Sequence, residues 1–156
     1  MYDYLKQNGF LWYEISNWAK EGHECHHNWR YWLRRPYIGL GPSAHSYVPE
    51  VRWATVRSVR KYVEALRQGR FPLDFVERLS REEVWREVWM TGLRTRAGVS
   101  VDFINSFKGR QNLNLLHDYT KMNLIYLENN NIFITKNGIL CSDRLIANIW
   151  HALEKV

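Results

Sequence analysis

Apolar positions recur along the chain at two different spacings, and the change between them divides the sequence. In the first fifty residues the apolar runs are short and bounded by turn residues. Phe10 to Ile15 reads as a buried strand entered from the Asn8-Gly9 turn after a short helical piece, and Tyr37 to Leu40 reads as a second strand ending at Gly41-Pro42. Strands separated by an intervening helical segment suggest α/β architecture. The stretch between them, 17–35, is polar and rich in His and Trp, and fits neither period cleanly. From Ser58 the spacing becomes helical. Val59, Tyr62, Val63 and Leu66 share one face, and Gly69 supplies a stop. A second helix is expected after Pro72, opened by a Ser80/Glu83 capping box and carrying Val84, Trp85, Val88, Trp89 and Leu93 as its apolar stripe.

The last third predicts helices over Ser100 to Phe107 and Asn112 to Met122, then two strand-like runs, Leu124 to Leu127 and Ile132 to Ile134, joined through Glu128 to Asn131. Ser142 is placed to cap a final helix that buries Leu145, Ile146, Ile149, Trp150 and Leu153. Helices followed by a small hairpin describe a winged-helix-like unit. The expected organisation is therefore two parts, 1–53 and 54–156, with the boundary near Arg52 to Ser58.

Composition refines this picture. The 156 residues are 46% hydrophobic, enough to build a core, and 15% aromatic with eight Trp. Residues 1–53 hold half of the aromatic rings in a third of the chain. The formal charge of +6 is local as well, because residues 52–70 carry six basic side chains against Glu64 alone. A basic helix formed by Arg57, Arg60, Lys61, Arg67 and Arg70 could meet phosphate or carboxylate groups, but a solvated outer face is the simpler reading, and nucleic acid is not favoured as a partner. No apolar run reaches the ~20 residues of a membrane-spanning helix, the N-terminus lacks a signal-peptide layout, and a cytoplasmic protein is expected. The two cysteines, Cys25 and Cys141, define neither a disulfide framework nor a metal knuckle.

Candidate chemistry concentrates in two segments. Gly22-His23-Glu24-Cys25-His26-His27 gathers imidazole and thiol groups that could ligate a metal or haem iron, although four ligands crowded into one turn cannot surround a tetrahedral zinc. In His27-Asn28-Trp29-Arg30-Tyr31-Trp32, a helical backbone would put positions 27 and 31, and 28 and 32, on shared faces. Such a surface suits a flat, partly apolar ligand; the alternative is a turn histidine beside core aromatics. The second segment is Tyr37-Ile38-Gly39-Leu40-Gly41-Pro42-Ser43-Ala44-His45-Ser46. Its glycines permit close approach of backbone to a ligand, or equally close packing of strands, and it is not a phosphate loop. No grouping reads as a Ser-His-Asp triad, and no catalytic residue is assigned.

The runs YEISNWAKEGHECHHNWRYW and YIGLGPSAHSY resemble the C-terminal part of the oxygen-independent coproporphyrinogen III oxidase-like proteins, specifically their HemW-like branch of radical SAM haem chaperones. The resemblance extends over essentially the whole chain. It implies that residues 1–53 are the last strands of a partial (β/α) barrel and 54–156 an accessory domain of the HemN type. It further implies haem or porphyrin as ligand, with His27 as leading haem contact, Asn28, Tyr31 and Trp32 as its neighbours, and His23, Cys25 and His26 as secondary axial candidates. Gly39, Gly41, Ser43 and His45 would line a cofactor cavity, and a haem-acceptor protein is a possible partner. S-adenosylmethionine and a [4Fe-4S] cluster are expected only in the full-length family, because the CxxxCxxC triplet that holds the cluster is absent here. The chain is thus expected to be a C-terminal portion, inactive alone in radical chemistry.

Overall fold

The computed structural model describes residues 1–108 and 113–154. In chain order the elements are α1 (Tyr2–Gln7), β1 (Leu11–Glu14), β2 (Asn17–Ala19), α2 (His26–Trp32), β3 (His45–Val48), β4 (Val51–Thr55), α3 (Val59–Arg67), β5 (Leu73–Arg78), α4 (Arg81–Gly92), β6 (Val99–Ser100), α5 (Val101–Lys108), α6 (Leu113–Lys121), β7 (Ile125–Glu128), β8 (Asn131–Ile134), α7 (Lys136–Ile139) and α8 (Ser142–Glu154). The architecture is mixed α and β. Every strand ladder among the described residues is antiparallel, which departs from the parallel α/β arrangement expected for the first fifty residues. The reason is local: β1 and β2, and β3 and β4, are separated by turns too short for the crossover that a parallel pair requires.

The chain forms two compact units. One combines Met1–Cys25 with Trp85–Val156, and the other is His26–Val84. Position 53/54, where the sequence pattern changes, lies inside β4, which is hydrogen-bonded to β3 on one side and β5 on the other.

The first unit is organised by a large apolar core. Trp85 and Trp89 from α4, and Leu93 just beyond its end, pack with Val99, Ile104, Ile125, Ile132 and Ile134, and with Leu145, Ile146 and Ile149 from α8. Trp12 and Trp150 close its edges. The helical period accounts for the α4 and α8 residues, which repeat at three or four positions, and the two-residue alternation of β8 accounts for Ile132 and Ile134. Trp85 and Trp89 meet edge to face with centroids 5.9 Å apart. The expected hairpin is present as β7 and β8, with β6 added as a third strand in the order β6-β8-β7. Gly138 shows how tightly this part is packed: a Cβ there would lie 2.0 Å from the Leu124 carbonyl oxygen. Asn112, the expected start of one helix, and the side chain of Leu153 lie outside the described residues.

The second unit contains the three-stranded sheet β3-β4-β5 with α3 connecting β4 to β5. Strand β5 occupies the segment between Pro72 and Ser80, where the sequence suggested only an approach to the next helix. Its residues are mostly exposed on both faces, so the alternation that marks a half-buried strand is missing. The Ser80/Glu83 capping box is formed. The Ser80 amide donates to Glu83 Oε2 at 2.7 Å, and the Glu83 amide donates to Ser80 Oγ at 3.2 Å.

Candidate functional site

The segment that fitted neither period, 17–35, divides into strand β2, a turn and helix α2. The turn places Gly22 at φ 74° and lets His23 Nδ1 approach the Glu21 carbonyl oxygen at 3.0 Å. Cys25 is exposed. His23 and Cys25 belong to the first compact unit, whereas α2 belongs to the second.

Helix α2 begins at His26 and is terminated by Arg34, whose φ of 51° lies in the left-handed region, and by Pro36 beyond it. Arg30 anchors this exit by donating to the Pro36 carbonyl oxygen at 3.2 Å. The spacing of four that the sequence suggested is realised. The Tyr31 hydroxyl and His27 Nε2 are 2.9 Å apart, and their rings meet edge to face at 4.9 Å between centroids. Asn28 and Trp32, also four apart, are half-buried, while His27 and Tyr31 are exposed.

From Tyr31 the aromatic contacts continue across the unit. Tyr31 meets the Tyr37 ring at 4.5 Å, Tyr37 meets Tyr47 at 6.3 Å, and the Arg34 guanidinium lies 5.5 Å over the Tyr47 ring. The backbone fixes this row, because Tyr37 and Tyr47 exchange both of their N–H···O bonds at 2.9 Å. Sequence reasoning named His27 and Tyr31 but missed Tyr37, Tyr47 and Arg34 as their companions. The available signal was the pair of tyrosines bracketing a Gly-Pro-Ser turn at equal offsets, which marks an antiparallel return.

The second segment is built differently from its expectation. Tyr37 to Leu40 makes a single antiparallel bridge, at Tyr37, rather than a strand. Gly41, at φ 99°, and Ser43, at φ 61°, turn the chain back on itself, so His45 becomes the first residue of β3. Gly39 serves close backbone packing. A Cβ there would sit 2.2 Å from the His45 carbonyl oxygen, and its amide donates to Ser46 Oγ at 3.0 Å. Thr55 locks the turn by donating to the Gly41 carbonyl oxygen at 2.6 Å. His45 is exposed and its ring rests 5.9 Å from Phe75, across the Ala54 position of the intervening strand. Among the described residues no group of three or more His, Cys, Asp or Glu side chains is placed to hold a metal ion.

No protein-family model matches the chain. Individual relatives do. The sequence is 32% identical to the heme chaperone HemW of Bacillus subtilis over 90% of this chain and 38% of that protein. It is 33% identical to the HemW of Synechocystis over 97% of this chain and 42% of that protein. The chain is HemW-like. Similarity extends to a mitochondrial radical S-adenosyl methionine domain-containing protein 1 of Bos taurus, 28% identical over 97% of this chain. Among solved structures, the Escherichia coli coproporphyrinogen III oxidase HemN, described as a radical SAM enzyme, superposes with a TM-score of 0.68 over 93% of this chain and 38% of its own. At 16% identity that match shows the fold. The HemW-like chain spans about two fifths of the length of the curated relatives it matches.

Proposed function

We propose that this chain supplies a haem-contacting surface to a HemW-like haem chaperone, with helix α2 as the contact and His27 as the residue that faces iron. The observation carrying this reading is the exposed His27-Tyr31 pair continuing into the Tyr37 and Tyr47 rings. An accessible imidazole beside the exposed Tyr31 ring, with half-buried Tyr37 and buried Tyr47 behind it, offers a porphyrin a nitrogen donor and an aromatic contact held in place from within the unit. Exposed Leu33, Ile38 and Leu40 extend the apolar character of the same unit, and Arg34 and Arg35 provide cations suited to propionates. Tyr31 orients the imidazole through its hydroxyl. Asn28 and Trp32 act from half-buried positions on the helix face beside them. His23 and Cys25 stand as secondary ligand candidates, and Ser43 and His45, with the Gly39 to Gly41 turn, border the family's cofactor cavity in the longer protein.

When bound, haem would supply its own redox and ligand chemistry, and the role of these residues is to hold and release it. The [4Fe-4S] cluster and S-adenosylmethionine of the family do not fit this chain. Cluster ligation needs three thiolates, and the only cysteines are Cys25 and Cys141. Residues 1–53 are read as the end of the family's barrel and 54–156 as an accessory domain of winged-helix-like order, in a cytoplasmic protein that passes haem to an acceptor. Among the described residues no helix is long and apolar enough to cross a membrane.

Haemin titration followed at the Soret band tests the site. The wild-type chain is expected to give a saturable red shift, and His27→Ala to weaken binding by about tenfold or more, the factor that corresponds to ~1.4 kcal/mol. An unchanged titration in His27→Ala would remove His27 from the site.

A further inference from the structure

Helix α3 presents an apolar face that its own unit leaves uncovered. Ser58 caps the helix by accepting from the Lys61 amide, and Gly69, at φ 67°, ends it. Tyr62 and Ala65 are half-buried and form its back, yet none of its residues is buried. Val59 is 66% exposed, Val63 38% and Leu66 51%. These three follow at intervals of four and then three, the spacing of a seam between two packed helices. Arg60 and Arg67, seven residues apart, border the stripe on one side. Both are exposed and have no ion partner among the described residues. Val59, Val63 and these arginines line a shallow depression of about 610 Å³ with Glu64 and Gln68, and Leu66 lies beside it.

Charge and spacing together select the occupant. With Val59 and Leu66 at one seam position and Val63 at the other, the flanking positions 60 and 67 are both arginine, whereas Glu64, which follows Val63, lies farther round the helix. A second copy of α3 packed antiparallel would set arginine against arginine, and packed parallel it would set Arg67 against Tyr62, which its own unit already half-buries. A bilayer would receive only three short aliphatic side chains from a nine-residue helix, with the bordering cations on one side, which is a weak membrane anchor. We propose that α3 docks an acidic amphipathic helix of another protein, its apolar stripe packing on Val59, Val63 and Leu66 and its carboxylates pairing with Arg60 and Arg67. This inference does not depend on haem binding and survives its failure.

The test uses the 156-residue chain and a fluorescently labelled heptad-repeat peptide with Leu at both seam positions and Glu at the flanking ones. The same peptide with Lys in place of Glu, and vesicles of phosphatidylcholine and phosphatidylglycerol, are run beside it. The acidic peptide is expected to bind in a salt-sensitive manner, and the basic peptide not to bind. The double variant R60E/R67E is expected to lose about tenfold or more in affinity for the acidic peptide and to gain affinity for the basic one. Val63→Asp is expected to abolish binding while leaving the far-ultraviolet circular dichroism and Tm unchanged, because the residue is exposed. The proposal is overturned by equal binding of both peptides, by affinity indifferent to R60E/R67E and Val63→Asp, by binding to anionic vesicles in preference to the acidic peptide, or by no binding at all.

Discussion

The two compact units differ in where their main aromatic clusters lie, although Tyr4 and Tyr126 are exposed in the first and Tyr47 is buried in the second. In the first, Trp85 and Trp89 lie deep in a core with nine buried Ile, Leu and Val side chains around them, and Trp12 and Trp150 seal its margin. In the second, Tyr47, Ala54 and Leu79 are the buried apolar residues, while Tyr31, Phe71 and Phe75 remain exposed. A ring inside a core contributes stability through the area it removes from water. A ring left at the surface adds little to folding and is available to a ligand. The unequal distribution of aromatics along the sequence is therefore less informative than what each group packs against.

Substitutions can break or sharpen this contrast. The largest effect is expected in the first unit, where Trp89→Ala should cost about 3–5 kcal/mol in denaturant unfolding. A cost below about 1 kcal/mol would contradict the core assignment, because that is the range of ordinary surface changes. In the second unit the most sensitive point is a backbone contact. Gly39→Ala forces a Cβ against the His45 carbonyl and is expected to cost about 1–3 kcal/mol, with loss of slow amide exchange at Tyr37 and Tyr47. Full protection of those two amides in the variant would show that the turn accommodates a side chain.

Tyr31→Phe separates binding from folding more finely. It removes the hydroxyl at 2.9 Å from His27 and keeps the ring against Tyr37. Stability should change by less than about 1 kcal/mol, as expected for an exposed hydrogen bond. Haemin affinity should fall by a smaller factor than in His27→Ala, and a fall as large as in that variant would make Tyr31 a ligand in its own right.

The smallest effect belongs to an exposed ion pair. Lys136 Nζ lies 3.0 Å from the Asp3 carboxylate, and its hydrogen bond and charge hold the Asp3 carboxyl below the ordinary aspartate value. A depressed carboxyl pKa stabilises the folded state above the ordinary carboxylate range, and that contribution disappears as pH falls through the lowered value. Lys136→Ala should return the Asp3 titration, followed by NMR, to the usual range. An unmoved titration midpoint would show that the pair is not formed in solution.

Much of the first unit was legible because helical periodicity and burial coincide there. The stripes of α4 and α8 and the β7–β8 hairpin follow from spacing alone. The second unit was less legible for a physical reason. Strand β5 is exposed on both faces and carries no alternation, and strand β4 spans the very position where the sequence changes composition. At the candidate site, the four-residue spacing of His27 and Tyr31 was readable once a helix was assumed. Their contact with Tyr37 and Tyr47 was not, since it depends on the left-handed Gly41 and Ser43 turn reversing the chain. Of the two readings the glycines allowed, Gly39 realises close backbone packing, with a Cβ position 2.2 Å from the His45 carbonyl oxygen.

The proposal that His27 is the principal imidazole facing haem iron is tested most directly by haemin affinities of a panel in which each of His23, His26, His27, His45, His117 and His151 is replaced by Ala in turn. The account predicts a large loss and an altered ferric low-spin electron paramagnetic resonance signal in His27→Ala alone. Wild-type affinity and an unchanged signal in His27→Ala, with the loss appearing at another histidine of the panel, would contradict it.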